Sequence, residues 1–322
     1  MSTVKKIWII VAAALILVGA LVFVTVMSLN DWNFMCLSSK KFQTKEYIIS
    51  DSFENIEIKS DTAKISFLPS ADGNVRVVCY EEEKITNEVS VIDGTLSILR
   101  NDTRKWYDHV GIFNFGSAKI TVYLPEAEYG AFKINSRTGD ISVSSNFKFT
   151  SADILVSTAD VSFEASTVGL LKIHTSTGDI KVGNNSVGEL DLEVTTGDIT
   201  VFDVNCLGNV TVDVDTGDAK LENIRCKSLI SEGDTGYLVM NNVLASERFD
   251  IERDTGDVKF TDCDAAEIDI ETSTGDVIGT FLVEKVVFAS TDTGRVDVPK
   301  STSGGRCEIT TDTGDIKITV SK

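Results

Sequence analysis

Carboxylates recur at one fixed place along this chain. Asp140, Asp179, Asp198, Asp218, Asp257, Asp276 and Asp315 each directly follow a Thr-Gly pair, and in three turns a second aspartate stands three residues earlier, at Asp215, Asp254 and Asp312. Three chemistries use carboxylates so placed. Hard divalent cations such as calcium gather several carboxylate oxygens, which makes Asp215 with Asp218, Asp254 with Asp257 and Asp312 with Asp315 the candidate metal ligands. Paired acids also cleave polysaccharides in some β-helix enzymes. An aspartate in a turn can instead accept hydrogen bonds from nearby backbone amides. The glycine-rich nonapeptide of calcium-binding β-rolls is absent. His109 and His174, the only histidines, lie far apart in sequence, and no Ser-His-Asp order or metal-ligand cluster accompanies them. Acid pairs recur too often for any one to be singled out, and no long loop walls off a cleft. No catalytic residue and no cofactor-binding residue is therefore assigned, and a non-enzyme is expected. Turn capping and divalent binding both stand as roles for the aspartates.

What positions these residues is a repeat. The turns Thr138-Gly139-Asp140, Thr177-Gly178-Asp179, Thr196-Gly197-Asp198, Thr216-Gly217-Asp218, Thr255-Gly256-Asp257, Thr274-Gly275-Asp276 and Thr313-Gly314-Asp315, with variants at Ala159, Gly236 and Gly294, follow one another at intervals of 19 or 20 residues. A fixed period in this range marks a repeat architecture. With the turn glycine as position zero, apolar residues occupy −7 (Leu171, Leu190, Val210, Leu229), −5 (Ile173, Leu192, Val212), +2 (Ile180, Ile199, Val258) and +4 (Val182, Val201, Phe260), and mostly polar residues fall between them. This period-two alternation gives two half-buried strands per repeat, joined at the turn. A third apolar patch follows at +7 to +9.

Equal repeat lengths favour a solenoid over a meander of hairpins, because stacked coils must share one circumference. The expectation is an all-β single-stranded parallel β-helix, a β-solenoid of 19–20 residues per coil. The turn is its corner. Glycine supplies a positive φ there, and the threonine at −1, by its parity, faces or borders the core, where stacked hydroxyls can bond along the column. Ten coils at a strand spacing of about 4.8 Å make a rod about 45–50 Å long. Residues 131–322 read as the regular solenoid, 46–130 as divergent coils and a cap, and 30–45 as a stalk. Within the divergent part, Trp106, Tyr107, Phe113 and Phe115 gather beside basic residues in one loop. They are a candidate recognition loop, or aromatics folded over the open end of the core.

Residues 7–29 are uncharged and 23 long, enough to cross a bilayer and longer than the apolar core of a cleaved signal peptide. They are expected to form one N-terminal transmembrane signal anchor. Lys5 and Lys6 precede it and Asp31 follows, so the positive-inside rule leaves residues 1–6 in the cytoplasm and the bulk of the chain outside the cell. Beyond residue 30 there are 28 basic and 49 acidic residues, 28 − 49 = −21. That balance excludes nucleic acid as a partner. The six cysteines form no CxxC pair. Cys206 and Cys226, one repeat apart, either fill the core as small hydrophobes or pair as a disulfide.

The anchor at 7–29, "KITVYLP" at 119–125 and the turns from Thr138-Gly139-Asp140 to Thr313-Gly314-Asp315 resemble those of the bacterial putative-adhesin family of unknown function, membrane-anchored envelope proteins with repeated Thr-Gly-Asp turns. The resemblance covers about 270 residues after the anchor. It implies a β-helix, an extracytoplasmic location and no established catalytic residues. The combined expectation is a non-enzymatic, membrane-anchored solenoid serving adhesion or envelope interaction, with a surface protein or glycan as partner and end-to-end self-association open to it. The alternatives are an envelope-stress accessory acting through protein contacts and, less favoured, a polysaccharide-acting enzyme.

Overall fold

A computed structural model describes residues 3–32, 41–105 and 116–321. Helix α1, Thr3–Leu29, is uncharged after Lys6 and strongly apolar, long enough to cross a bilayer, and takes no part in the core. All other regular structure is strand, assembled into one sheet that winds on itself. Each coil stacks on the next in parallel and in register. Leu190 lies beside Val210, Leu192 beside Val212 and Thr196 beside Thr216, and Ile199 lies beside Ala219. Like residues therefore form columns. The inward ones make a continuous apolar core from Ile56 to Ile318. Each interior strand of the solenoid is bonded to the coils above and below, so its backbone groups are satisfied without a local hairpin.

The Thr-Gly-Asp turn is the first corner of each coil. Gly139, Gly178, Gly197, Gly217, Gly236 and Gly256 have φ between 103° and 146°, a region closed to most side chains. Space closes it as well: a Cβ at Gly217 would run into the carbonyl oxygen of Gly197. Ala159 takes the same corner without a positive φ. The threonines depart from expectation. Thr177, Thr196, Thr216, Thr255, Thr274 and Thr313 are exposed, because the inward–outward alternation stops after position −3, although the strand runs on to −1, and −2 and −1 both lie on the outside of the corner. The buried hydroxyls sit two residues earlier, at −3. Ser136, Thr175, Thr272 and Thr311 are buried there. Thr175 Oγ1 donates to the carbonyl of Thr177 (3.2 Å) and Thr311 Oγ1 to that of Gly275 (3.1 Å).

A second corner lies at +6. Asn184, Asp203, Asn223, Asn242 and Asp262 all hold φ of 52–54°, the left-handed conformation that Asn and Asp tolerate best. Their side chains bond along the rod: Asn223 Nδ2 donates to Asp203 Oδ1 (2.8 Å), and Asn242 Nδ2 to Asn223 Oδ1 (2.9 Å).

Stacking does not follow chain order at either end. The last strand pair, Gly305–Thr313 and Ile316–Val320, sits between the Gly275 coil and the coil formed by Lys285–Thr293 and Val296–Asp297. This places the bulkier inward row of Cys307, Ile309, Ile316 and Ile318 under cover and leaves Val287, Ala289 and Val296 at the end. The other end mirrors this. Asn55–Lys59 and Lys64–Pro69 stack directly on the Gly139 coil, with Thr95–Asp102 and Lys119–Leu124 outside them. That end is then closed by the antiparallel strands Phe42–Ile49, Val75–Glu82 and Ile85–Ile92.

Candidate interaction surface

The strand before each first corner turns its side chains at −6, −4 and −2 outward. From the Gly197 coil to the Gly275 coil, position −4 is Glu193, Asp213, Glu232, Glu252 and Glu271 in unbroken succession. Asp191, Asp250 and Asp269 flank this row at −6, and Asp215, Asp234 and Asp254 at −2. At a coil spacing of about 4.8 Å, neighbouring carboxylates in the row repel by about 1 kcal/mol in water, and by more near low-dielectric protein.

Bases compensate only the margins of this face. Lys172 pairs with Asp191 at 2.6 Å, His174 Nδ1 lies 2.9 Å from Glu193, and Arg248 pairs with Asp250 at 2.7 Å. Between them the charge shows in the acids themselves. Burial, together with the like charges of Asp215, Glu232 and Glu193, pushes the Asp213 carboxyl above its usual range. Burial and the neighbouring Glu308 and Asp250 do the same to Asp269.

One cation lies beneath the face. Arg253 occupies the inward −3 position at 3% exposure. Its Nη2 donates to Ser231 Oγ (2.8 Å), and Gly233 in the adjacent coil leaves room for the guanidinium, which any Cβ there would strike. Burial pushes Arg253 down to about 10, against the pull of Asp213 and Glu232. It stays charged at neutral pH and offsets part of the repulsion from below. Nothing in the turn repeat pointed to this residue; the signal was a charge at a position whose parity is inward.

The aspartates at +1 are differently employed. From Asp160 onward Oδ1 accepts the backbone amide of the residue at +1 in the neighbouring coil: Asp160 from Asp179 (2.9 Å), Asp179 from Asp198 (2.9 Å), Asp198 from Asp218 (2.8 Å) and Asp218 from Tyr237 (2.9 Å); Asp140 instead holds Lys64. The ladder resumes with Asp257 accepting from Asp276 (3.0 Å), Asp276 from Asp315 (2.7 Å) and Asp315 from Arg295 (2.9 Å). The nearby amide is thus that of the neighbouring turn, one coil away. Of the candidate metal ligands, Asp218, Asp257 and Asp315 are committed to this ladder; Asp257 also holds Lys259 at 2.8 Å and Asp315 holds Arg295 at 2.6 Å. Asp215, Asp254 and Asp312 stand exposed or half-exposed on the outer face. Among the described residues no three His, Cys, Asp or Glu side chains converge to hold a metal.

Trp106, Tyr107, Phe113 and Phe115, and His109 with them, lie outside the described residues. Cys206 and Cys226 are free, buried thiols. At the second corner a shallow polar cleft is lined by Asn184, Asn205, Asn223 and Arg225 among others.

The family model of Toastrack DUF4097 matches residues 53–211 and 203–322. No functionally curated protein matches the chain. Among solved structures, one described as a putative adhesin from Bacteroides fragilis is similar at 15% identity and a TM-score of 0.43, over 87% of this chain and 98% of that one. A structure described as a putative lipid binding protein from Parabacteroides distasonis has 15% identity and a TM-score of 0.45, over 75% of this chain and 95% of that one. A putative adhesin from Parabacteroides merdae has 14% identity and a TM-score of 0.39, over 88% and 98% of the two chains.

Proposed function

The chain belongs to the Toastrack DUF4097 family, and from that premise we propose that it is a non-enzymatic interaction module: α1 tethers it in the membrane, the rod stands outside the cell, and the acidic face receives a cationic partner in the envelope. The observation that carries this reading is the unbroken row Glu193, Asp213, Glu232, Glu252 and Glu271. Fixed parallel strands space these carboxylates evenly, and no basic residue interleaves the row. Bringing such charges together costs stability, and a polybasic surface laid along the face would relieve that cost. Repetition of one contact along several coils is what gives solenoids extended binding surfaces.

The test uses the full chain in a neutral-lipid nanodisc and a lysine-rich peptide as probe. The double change Glu232→Gln with Glu252→Gln should weaken binding about tenfold, from loss of two exposed ion contacts. Glu222→Gln, on another face, should leave it unchanged. Equal effects from both variants would contradict the proposed face. Protease treatment of intact cells checks the orientation separately, since a rod outside the cell must be digested.

A further inference from the structure

The two ends of the rod are finished differently. The end nearer α1 is closed by antiparallel strands: Tyr47 on Phe42–Ile49 reaches across to donate to the Asn87 carbonyl (3.0 Å), and Tyr47, Ile49, Phe53, Val89 and Val91 pack onto the core. The far end has no such cover among the described residues. There the edge strand Lys285–Thr293 pairs on one side only, with Gly305–Thr313, and Val296–Asp297 pairs only with Ile316–Val320. Val287, Ala289 and Val298 are half-buried against the core, and Val296, in the inward +2 column, is 44% exposed. In every interior coil these columns are buried because another coil lies on top.

Charge falls away toward this tip. Residues 267–281 carry four acids and no base, a net of −4. The next coil in space, 305–320, carries two bases and three acids, 2 − 3 = −1, and the terminal coil, 285–300, carries three bases and two acids, 3 − 2 = +1. Along the outer columns Phe288 stands where Glu308 stands in the coil beneath, and Arg295 where Asp315 stands. Phe288 is 56% exposed. An apolar, near-neutral coil therefore caps a strongly acidic rod.

We propose that this tip is a docking surface for a second copy of the same chain, joined tail to tail through the Lys285–Thr293 edges. A second copy presents a coil of the same circumference, so it continues the stacking that buries every interior coil. The tip is also where two such acidic rods meet with least repulsion. The pairing is antiparallel and twofold. Inward rows remain inward only where odd-numbered residues of the strand meet odd-numbered ones, since alternate side chains face opposite sides. Because the other end is closed, the assembly stops at two rather than growing into a filament. The two α1 helices then attach at opposite ends of a rod about 100 Å long, given about 50 Å per copy, a geometry suited to joining facing membranes.

The experiment measures protein mass by light scattering on the full chain in detergent across a micromolar dilution series. Two protomers are expected. Phe288→Glu, exposed and so tolerated by the fold, should raise the dissociation constant roughly a hundredfold by setting like charges across the twofold. An equal mixture of Phe288→Glu and Phe288→Lys should restore the pair, which a misfolded variant could not do. Leu155→Glu, at a 45% exposed position on the side of the rod, should change nothing. A single-protomer mass at every concentration overturns the proposal, as does a pair that survives Phe288→Glu or that only Leu155→Glu disrupts.

Discussion

Gly217→Val tests the corner on which the winding depends. At a φ of 141° valine is confined to a region that costs about 1–3 kcal/mol in backbone strain. Its Cβ also meets the carbonyl oxygen of Gly197, so the two coils must part locally. Three hydrogen bonds cross that joint: Gly197 N–H to Thr216 O (3.0 Å), Ile199 N–H to Asp218 O (2.9 Å) and Asp218 N–H to Asp198 Oδ1 (2.8 Å). At about 1 kcal/mol each, their weakening adds up to about 3 kcal/mol. The total of about 4–6 kcal/mol corresponds to a melting midpoint lower by about 8–24 °C, at about 2–4 °C per kcal/mol. Thermal melts of the full chain followed by circular dichroism at the β-sheet band read it directly. Thr216→Ala is the matched control. Its side chain is exposed and makes no hydrogen bond in the corner, so the change should stay within about 0.5 kcal/mol. A Gly217→Val midpoint within 1–2 °C of the parent, at about 2–4 °C per kcal/mol, would refute the constrained corner. A larger loss in Thr216→Ala would return the hydroxyl column to position −1.

Other expectations follow from the two aspartate populations. Asp218→Asn keeps an oxygen acceptor for the Tyr237 amide and should melt close to the parent, whereas Asp218→Ala leaves that amide unpaired at the corner and should cost about 1 kcal/mol. Asp213 behaves oppositely. Its folded-state pKa is raised, chiefly by burial and then by its acidic neighbours, so the folded protein holds this proton more tightly than the unfolded chain. Its destabilising contribution is absent below the unfolded-state pKa and is fully present once pH exceeds the folded one. Asp213→Asn should therefore raise the melting midpoint at neutral pH, and the gain should vanish as pH falls through the carboxylate range; a gain that persists in acid would contradict the charge origin.

Much of this architecture was legible because the coils repeat. The period of Thr-Gly pairs located the corner, and alternation at −7, −5, +2 and +4 fixed which residues turn inward. Parity misled at Thr216 because strand alternation ends before the corner does. The second corner was present in the sequence as Asn184, Asp203, Asn223, Asn242 and Asp262, all at +6, but Asn and Asp in a loop read as punctuation until their common left-handed φ is seen. The reversal of coil order at both ends could not be read from the sequence. Coils of equal length and pattern are interchangeable, and only their fit decides which lies on which. For the interaction face, the repeat frame places each carboxylate at −4, yet its force comes from what does not interleave it, and that appears once the columns stand side by side.

The most direct measurement places a photo-reactive amino acid at Glu232 or Glu252 on the acidic face, and at Lys220 or Asn205 on other faces, in the full chain expressed in its native envelope. Crosslinks to a basic envelope component from Glu232 and Glu252 alone are the predicted result. The same crosslinks from Lys220 and Asn205, or from none but these, would contradict the acidic face as the site of interaction.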